Sequence, residues 1–318
     1  MMEKIGIIGC GAVTQNSYSK ALSMYQNVKV AYVYDTNSEL AEDVALMFGA
    51  SSVTKEILLS ESDIVIIATP PSTHHSLVKE ALAKGKKVIC EKPFVGTFDE
   101  SVDLIDTAKK HNSKLYVAHF RRCYPSVQLA RSIIKSGILG DVTSIKAYEG
   151  GHFSWQTKSG YVFKDPFGGV LFDTGSHTVD MALHIANLDG SNFETKISKV
   201  GRDRTEPAHE IDAEMKLIKE DKSEIDFTLK LSRRSVLANK IRVNCTNGYI
   251  DVPVLMSNYI RLGGKNSSTV IYSNIKYNTL TDCFAMQFKG MFDDTENSIF
   301  EASLFCGLTK ILENIAKN

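Results

Sequence analysis

The first 120 residues alternate short apolar runs with amphipathic stretches. Apolar runs fall at 5–8, 28–34, 64–68, 87–90 and 114–118. Between them the spacing predicts helices: one reaching about residue 25, one over 39–48 with Ser38 as its cap, one ending near 84, and one over 98–111. Ser72 or Thr73 is placed to cap the third of these, just after the Pro70-Pro71 break. The run 64–68 has no polar position, which suits a strand covered on both faces, as in a parallel sheet. Strand and helix alternating at short spacing predict βαβ units and a doubly wound parallel sheet. Right-handed crossovers then put helices on both faces, and ligands bind at the carboxyl ends of the strands. Gly9, Asp35, Pro70 and Glu91 fall at those ends.

After residue 118 the texture changes. Helical patterns cover 124–136, ended by Gly137, and 171–186. Strand-like runs cover 142–150, 196–201, 213–219, 224–231, 240–244, 249–254, 259–262 and 269–272. Turn residues lie between them, including Glu220-Asp221-Lys222 and the hairpin-favouring pair Asn247-Gly248. Helices over 282–292 and 298–316 close the chain. The expected fold class is α/β: an N-terminal doubly wound parallel sheet (residues 1–120), then an α/β domain with a large open, mostly antiparallel sheet (121–318).

Composition narrows the function. At 318 residues and 35.2 kDa the chain suits about two domains of ordinary size. Hydrophobic residues make up 43% and charged residues 23%, a globular balance. Lys plus Arg number 37 and Asp plus Glu 37, so there is no basic excess of the kind a nucleic-acid backbone requires. The six cysteines form no C-x-x-C pair and read as thiols in a reducing compartment. No helical His-x-x-x-His pair occurs, so no metal site is expected. Apolar runs stay far below the ~20 residues that span a bilayer, and no export signal is evident. The expected location is cytoplasmic, with no membrane partner.

Two clusters carry chemistry. Gly9-Cys10-Gly11-Ala12-Val13-Thr14 follows the first strand and opens the first helix. Gly9 permits the tight turn, and Gly11 lets the backbone approach a pyrophosphate at the helix N-terminus. Thr14 stands where the usual fingerprint has a third glycine, adding bulk where helix and strand pack. Asp35, 21 residues after Thr14, can accept hydrogen bonds from adenosine ribose hydroxyls. It would repel a 2′-phosphate, and no Arg follows in Thr36-Asn37-Ser38, so NAD is favoured over NADP. In the second cluster, helical spacing puts Asp173 and His177 on one face, with Asp180 on roughly the same side. A carboxylate beside a histidine supports a general base for an alcohol proton. Gly175 within that helix implies the close approach of a partner or ligand. Lys92 follows the run 87–90 at a strand's carboxyl end, where it can polarise a substrate oxygen or simply face solvent. Arg121-Arg122 suit phosphate or salt bridges equally. Trp155 suits stacking on a sugar ring or packing.

These residues together resemble the glucose–fructose oxidoreductase/inositol dehydrogenase (Gfo/Idh/MocA) family. The likeness covers nearly the whole chain. It includes the Gly9–Thr14 turn, Asp35, and Thr69-Pro70 with His74. It continues through 85–93, like "GKHVxxEKP", and through 119–125, like "RRxxP". Gly168-Gly169 with Asp173, Gly175, His177 and Asp180 looks like "GGxxxDxGxHxxD". The chain departs at Thr14 and is short for the family.

The resemblance implies a Rossmann domain followed by the open-sheet domain, with that sheet serving a homodimer or homotetramer. It implies Lys92, Asp173 and His177 as the catalytic set. It implies cofactor contacts from Gly9, Gly11, Ala12, Val13, Asp35, Thr69, Pro70, His74, Glu91 and Lys92. Arg121, Tyr124, His152 and Trp155 are the substrate candidates, and Arg121-Arg122 lean toward a phosphate-bearing substrate. The implied activity is NAD(P)-dependent hydride transfer at a secondary alcohol or ketone carbon of a sugar, polyol or nucleotide-linked sugar. Two other readings stay open: a redox-neutral NAD-dependent glycosidase or lyase, and a non-catalytic dinucleotide-binding regulator.

Overall fold

The computed structural model describes residues 2–152, 160, 163–264, 266–276, 279–293 and 298–318. The chain divides into two compact units, changing from the first to the second between His119 and Phe120. It then returns: Thr279–Ser303 is grouped with the first unit, and Leu304–Asn318 with the second.

The first unit is a six-stranded parallel sheet. Its strands are β1 (Glu3–Ile8), β2 (Val28–Tyr34), β3 (Ser51–Ser52), β4 (Ile64–Ile67), β5 (Lys87–Glu91) and β6 (Leu115–Ala118). The spatial order β3-β2-β1-β4-β5-β6 reverses direction between β1 and β4. That switch point is where an open α/β sheet leaves its ligand crevice. All four residues of β4 are buried, as its unbroken apolar run requires.

Helices α1 (Ser19–Leu22), α2 (Ser38–Phe48), α3 (Lys55–Glu61), α4 (His74–Ala83) and α5 (Phe98–Lys110) connect these strands. The cap of α2 is Asn37, whose side chain accepts the Leu40 N–H, so the helix begins one residue before the expected cap had placed it. Thr97 and Glu100 form a reciprocal capping box at the start of α5. The α3 helix, capped by Thr54, was not predicted, because its apolar run Ile57-Leu58-Leu59 is too short to show a helical period. Residues 298–301 lie against the outer strand, with Val117 N–H donating to the Phe300 carbonyl at 2.9 Å.

The second unit carries an eight-stranded sheet. Its strands are β7 (Val142–Gly150), β8 (Phe193–Arg202), β9 (Glu210–Lys219), β10 (Glu224–Ser232), β11 (Lys240–Cys245), β12 (Gly248–Pro253), β13 (Tyr259–Gly263) and β14 (Ser268–Tyr272). The order is β14-β13-β12-β11-β7-β10-β9-β8. Every pairing is antiparallel except β7 with β10. Burial alternates along the strands: Ile211, Ala213, Met215 and Leu217 of β9 are buried, while Glu214 and Lys216 between them are exposed. One face is therefore core and the other polar.

Helices α6 (Pro125–Lys135), α7 (Ser176–Ile185) and α9 (Cys306–Lys317) pack in this unit, while α8 (Leu280–Phe292) belongs to the first. All ten residues of α7 are buried. A buried polar knot holds it. Arg122 forks onto Asp180 of α7 and also reaches Asp189, which accepts from His184 and Arg131. The Arg122 guanidinium lies 4.0 Å from the centre of the Phe305 ring. Burial, and then Arg122, push the His184 imidazole down to about 4, so it donates to Asp189 as a neutral ring. Burial opposes ionisation of Asp189, yet His184, Arg122 and Arg131 hold its carboxyl well below the ordinary range. Among the described residues no helix is long and apolar enough to cross a membrane.

Candidate active site

In the first unit, the strand ends hold a glycine turn. Gly9 has φ +101°, and a Cβ built there would lie 2.4 Å from the Ala68 carbonyl oxygen. Only glycine fits, because the ends of β1 and β4 touch backbone to backbone. Gly11 differs: a Cβ there reaches no heavy atom within 4 Å, so the turn opens to space at that residue. Ala12 and Val13 begin the helical backbone, and Gln15 N–H donates to the Gly11 carbonyl.

Thr14 is fully buried and donates its hydroxyl to the Gly9 carbonyl at 2.8 Å. It starts a wide π-type turn, Thr14–Tyr18, which gives the extra volume a place and adds a bond across the glycine turn. Asp35 accepts the Cys10 N–H on Oδ2 at 2.8 Å and the Asn37 N–H on Oδ1 at 2.9 Å. Oδ1 also takes the Thr36 hydroxyl at 3.5 Å, so Oδ2 is the oxygen that keeps a lone pair for a ligand hydroxyl.

The neighbouring strand ends continue the rim. Thr69 and Thr73 hydroxyls lie 2.7 Å apart, and Thr73 donates to the Pro70 carbonyl. His74 is fully buried, with Nε2 2.9 Å from the Thr69 carbonyl and Nδ1 2.9 Å from that of Pro93. It thus tethers the Thr69 turn to the loop after β5. Glu91 is buried, accepting the Tyr18 hydroxyl on Oε1 and the Lys92 N–H on Oε2 at 2.8 Å. Burial pushes the Glu91 carboxyl up, with Tyr18 and Lys92 pulling it back. Lys92 is half-buried and precedes a cis peptide to Pro93.

In the second unit, Leu171–Gly175 is a second π-type turn, running directly into α7. It carries Asp173, whose Oδ2 accepts Arg233 Nη2 at 2.8 Å; the same nitrogen donates to the Gly169 carbonyl. Arg233 follows β10 and was missed in the sequence, lying 60 residues from its partner. The close neighbour behind Gly175 is β10 itself, since a Cβ there would sit 2.8 Å from Leu231 Cδ1. His177 lies buried in the first turn of α7, with Phe120 edge-on at 5.4 Å. Tyr124 is buried and packs against the same Phe120 at 5.8 Å.

Arg121 forks onto Glu149 at 2.8 and 3.0 Å, and Glu149 also accepts the Thr178 hydroxyl. Arg121 and Arg122 thus both pair with carboxylates of their own unit, and the lean toward a phosphate drawn from them finds no support in this arrangement. Asp180 is a strut for Arg122. His152 is exposed, and Trp155 lies outside the described residues. Lys92 belongs to the first unit, Asp173 and His177 to the second. Among the described residues no group of three or more His, Cys, Asp or Glu is placed to hold a metal ion.

Comparison with known proteins follows the same division. A family model described as "Oxidoreductase family, NAD-binding Rossmann fold" matches residues 3–119, and one described as "GFO/IDH/MocA C-terminal domain" matches 127–251. Glucose-6-phosphate 3-dehydrogenase from Bacillus subtilis (strain 168) is 30% identical over 194 residues, which are 59% of this chain and 55% of that protein. The chain spans about half the length of the curated relatives it matches. Among solved structures, an aldose-aldose oxidoreductase from Caulobacter crescentus, complexed with glycerol, superposes with TM-score 0.80 at 17% identity, covering 100% of this chain and 97% of that one. An oxidoreductase from Agrobacterium radiobacter in complex with NAD+, L-tartaric acid and magnesium gives 0.76 at 18% identity, covering 100% and 97%. At these identities the likeness is one of fold.

Proposed function

Because this chain belongs to the Gfo/Idh/MocA oxidoreductase family, we propose that it is an NAD-dependent dehydrogenase or ketoreductase acting at a secondary carbon of a sugar, polyol or nucleotide-linked sugar. The observation that carries the reading is the rim of the parallel sheet. There a glycine turn opens to space at Gly11, and Lys92 follows the end of β5 on the same side.

The residues present fit a dinucleotide. Main-chain groups of Gly9, Gly11, Ala12 and Val13 would hold the pyrophosphate, and the Asp35 carboxylate the adenosine ribose. The carboxylate at the end of β2 favours NAD over NADP by repelling a 2′-phosphate. Thr69, Pro70, His74, Glu91 and Lys92 form the rest of the cofactor rim. When bound, the nicotinamide supplies a two-electron acceptor and donor.

The chain's own residues do the rest. His177 takes the proton of the substrate hydroxyl, a task suited to an imidazole. The Lys92 ammonium stabilises the negative charge developing on that oxygen. Asp173, which accepts a hydrogen bond from Arg233, orients His177 or Lys92. Phe120 lies edge-on against the His177 ring and shields that side of it with apolar surface, and Tyr124 packs against Phe120 in turn.

The test is reduced-cofactor formation by purified protein, with NAD and NADP in parallel, against sugars, inositols and nucleotide sugars. Turnover with one class, lost by 10²-fold or more in Lys92→Ala while the cofactor still binds, is the expected result. Near-normal turnover in that variant would overturn the role of Lys92. Tightly held NAD with substrate consumed and no net NADH would instead select a redox-neutral reaction.

A further inference from the structure

We propose that Tyr18 is a positioning residue that couples the dinucleotide turn to the Lys92 loop by holding the Glu91 carboxylate between them. The inference rests on the reading of Lys92 as the group that stabilises the reacting oxygen. Tyr18 is the last residue of the π-type turn that opens off Gly9–Gly11, and it is fully buried. Two rings of α8 set its aim, Phe288 edge-on at 4.9 Å and Phe284 edge-on at 6.0 Å. In so apolar a slot a phenylalanine would pack as well, and a buried hydroxyl is costly unless it is bonded. The hydroxyl donates to Glu91 Oε1, and the other oxygen of the same carboxylate accepts the Lys92 main-chain N–H at 2.8 Å. One buried carboxylate therefore ties the turn that receives the dinucleotide to the backbone of the lysine.

Two donors on two oxygens suit the ionised form of Glu91. Burial favours the neutral form, and the Tyr18 bond and the Lys92 charge favour the anion. Tyr18 comes from the turn, Lys92 and Cys90 flank Glu91 in sequence, and α8 presents rings. Burial pushes the Cys90 thiol well up, so it stays neutral. Removing the Tyr18 hydroxyl withdraws a donor from the anion, and Glu91 then takes its proton at a higher pH. The negative charge beside Lys92 is lost over the same interval, and the loop loses its tether to the turn.

The experiment compares wild type with Tyr18→Phe, Glu91→Gln, the double variant and Lys92→Ala. Infrared difference spectra of the protein without cofactor follow the carbonyl band of a protonated carboxyl across pH. That band is expected at higher pH in Tyr18→Phe and absent in Glu91→Gln. In turnover, Tyr18→Phe is expected to lower kcat roughly ten- to hundredfold, the worth of a bond to a charged group. The acid limb of its profile should shift upward, with cofactor affinity changed by no more than about twofold. The double variant should lose no more than Glu91→Gln alone, because the two residues act as one unit. A Tyr18→Phe protein with an unmoved carboxyl band and an unmoved acid limb overturns the proposal, even if its melting temperature falls. Losses that multiply in the double variant overturn it as well. Should Lys92→Ala turn over normally, the catalytic reading of Lys92 fails by itself, and the infrared band still reports on the Tyr18–Glu91 link.

Discussion

Gly9 and Gly11 stand two residues apart and serve opposite needs. Gly9 is demanded by the protein: its φ is +101° and the Ala68 carbonyl occupies the place of a side chain. Gly11 is demanded by no protein atom within 4 Å. Gly9→Ala should therefore cost more than about 3 kcal/mol of stability, combining backbone strain with a backbone collision. Gly11→Ala should melt like wild type and lose NAD affinity. Thermal melts with and without NAD separate the two. Should Gly11→Ala bind NAD as well as wild type, the turn would not be where the pyrophosphate sits. The glycines and Asp35 were legible in the sequence because their offsets come from one βα turn and the next strand. Arg233 was not legible, because its pairing with Asp173 joins residues 60 apart.

Among the elements, α7 is the one whose surroundings matter most for the site. It carries His177 in its first turn and His184 near its end, and it is buried throughout. The knot of Arg122, Asp180, His184, Asp189 and Arg131 fixes it, and breaking such a network by removing one partner costs more than its formation contributed. The knot also predicts a pH dependence. His184 titrates near 6.5 when unfolded and at about 4 when folded, so acid favours the unfolded chain. Its contribution is complete above about 6.5 and is lost as pH falls toward about 4, a few kcal/mol in all. Urea unfolding between those values should show that slope, and His184→Gln should flatten it. An unchanged slope in the variant would place the acid sensitivity elsewhere. From the sequence, Asp180 read as part of the reactive face. The π-type turn before α7 and the reach of Arg122 assign it to the scaffold instead.

At the scale of the whole chain, the eight-stranded sheet leaves one polar face. On it Arg242 lies 4.0 Å from the Tyr249 ring centre and forks onto Asp251, while Tyr259 and Tyr272 are exposed. Tyrosine and arginine are enriched at protein interfaces, tyrosine because its rigid ring supplies contact area at low entropic cost. We propose that this face joins copies of the chain. Sedimentation should give a mass of two or four times 35.2 kDa, reduced by Arg242→Glu. A monomer at micromolar concentration would exclude it. The return of residues 279–303 to the first unit had no local signature, since a capped amphipathic helix such as α8 reads alike wherever it docks.

What the sequence determined by itself was whatever depends on near neighbours. Period-two and period-3.6 patterns laid out the strands and most helices. The start of α5 is set locally by Thr97 and Glu100, three residues apart, and Gly9 marked a backbone that other residues avoid. What tertiary structure alone decided was the pairing of charges. In the sequence Arg121 suited a phosphate as well as a carboxylate, and nothing near Asp173 pointed to Arg233. Glu149 lies on β7 and Arg233 follows β10, its parallel neighbour, and each meets a partner 28 or 60 residues away in the sequence. A charge finds its partner through whichever strand lies alongside, and strand order is a property of the closed sheet rather than of any segment within it.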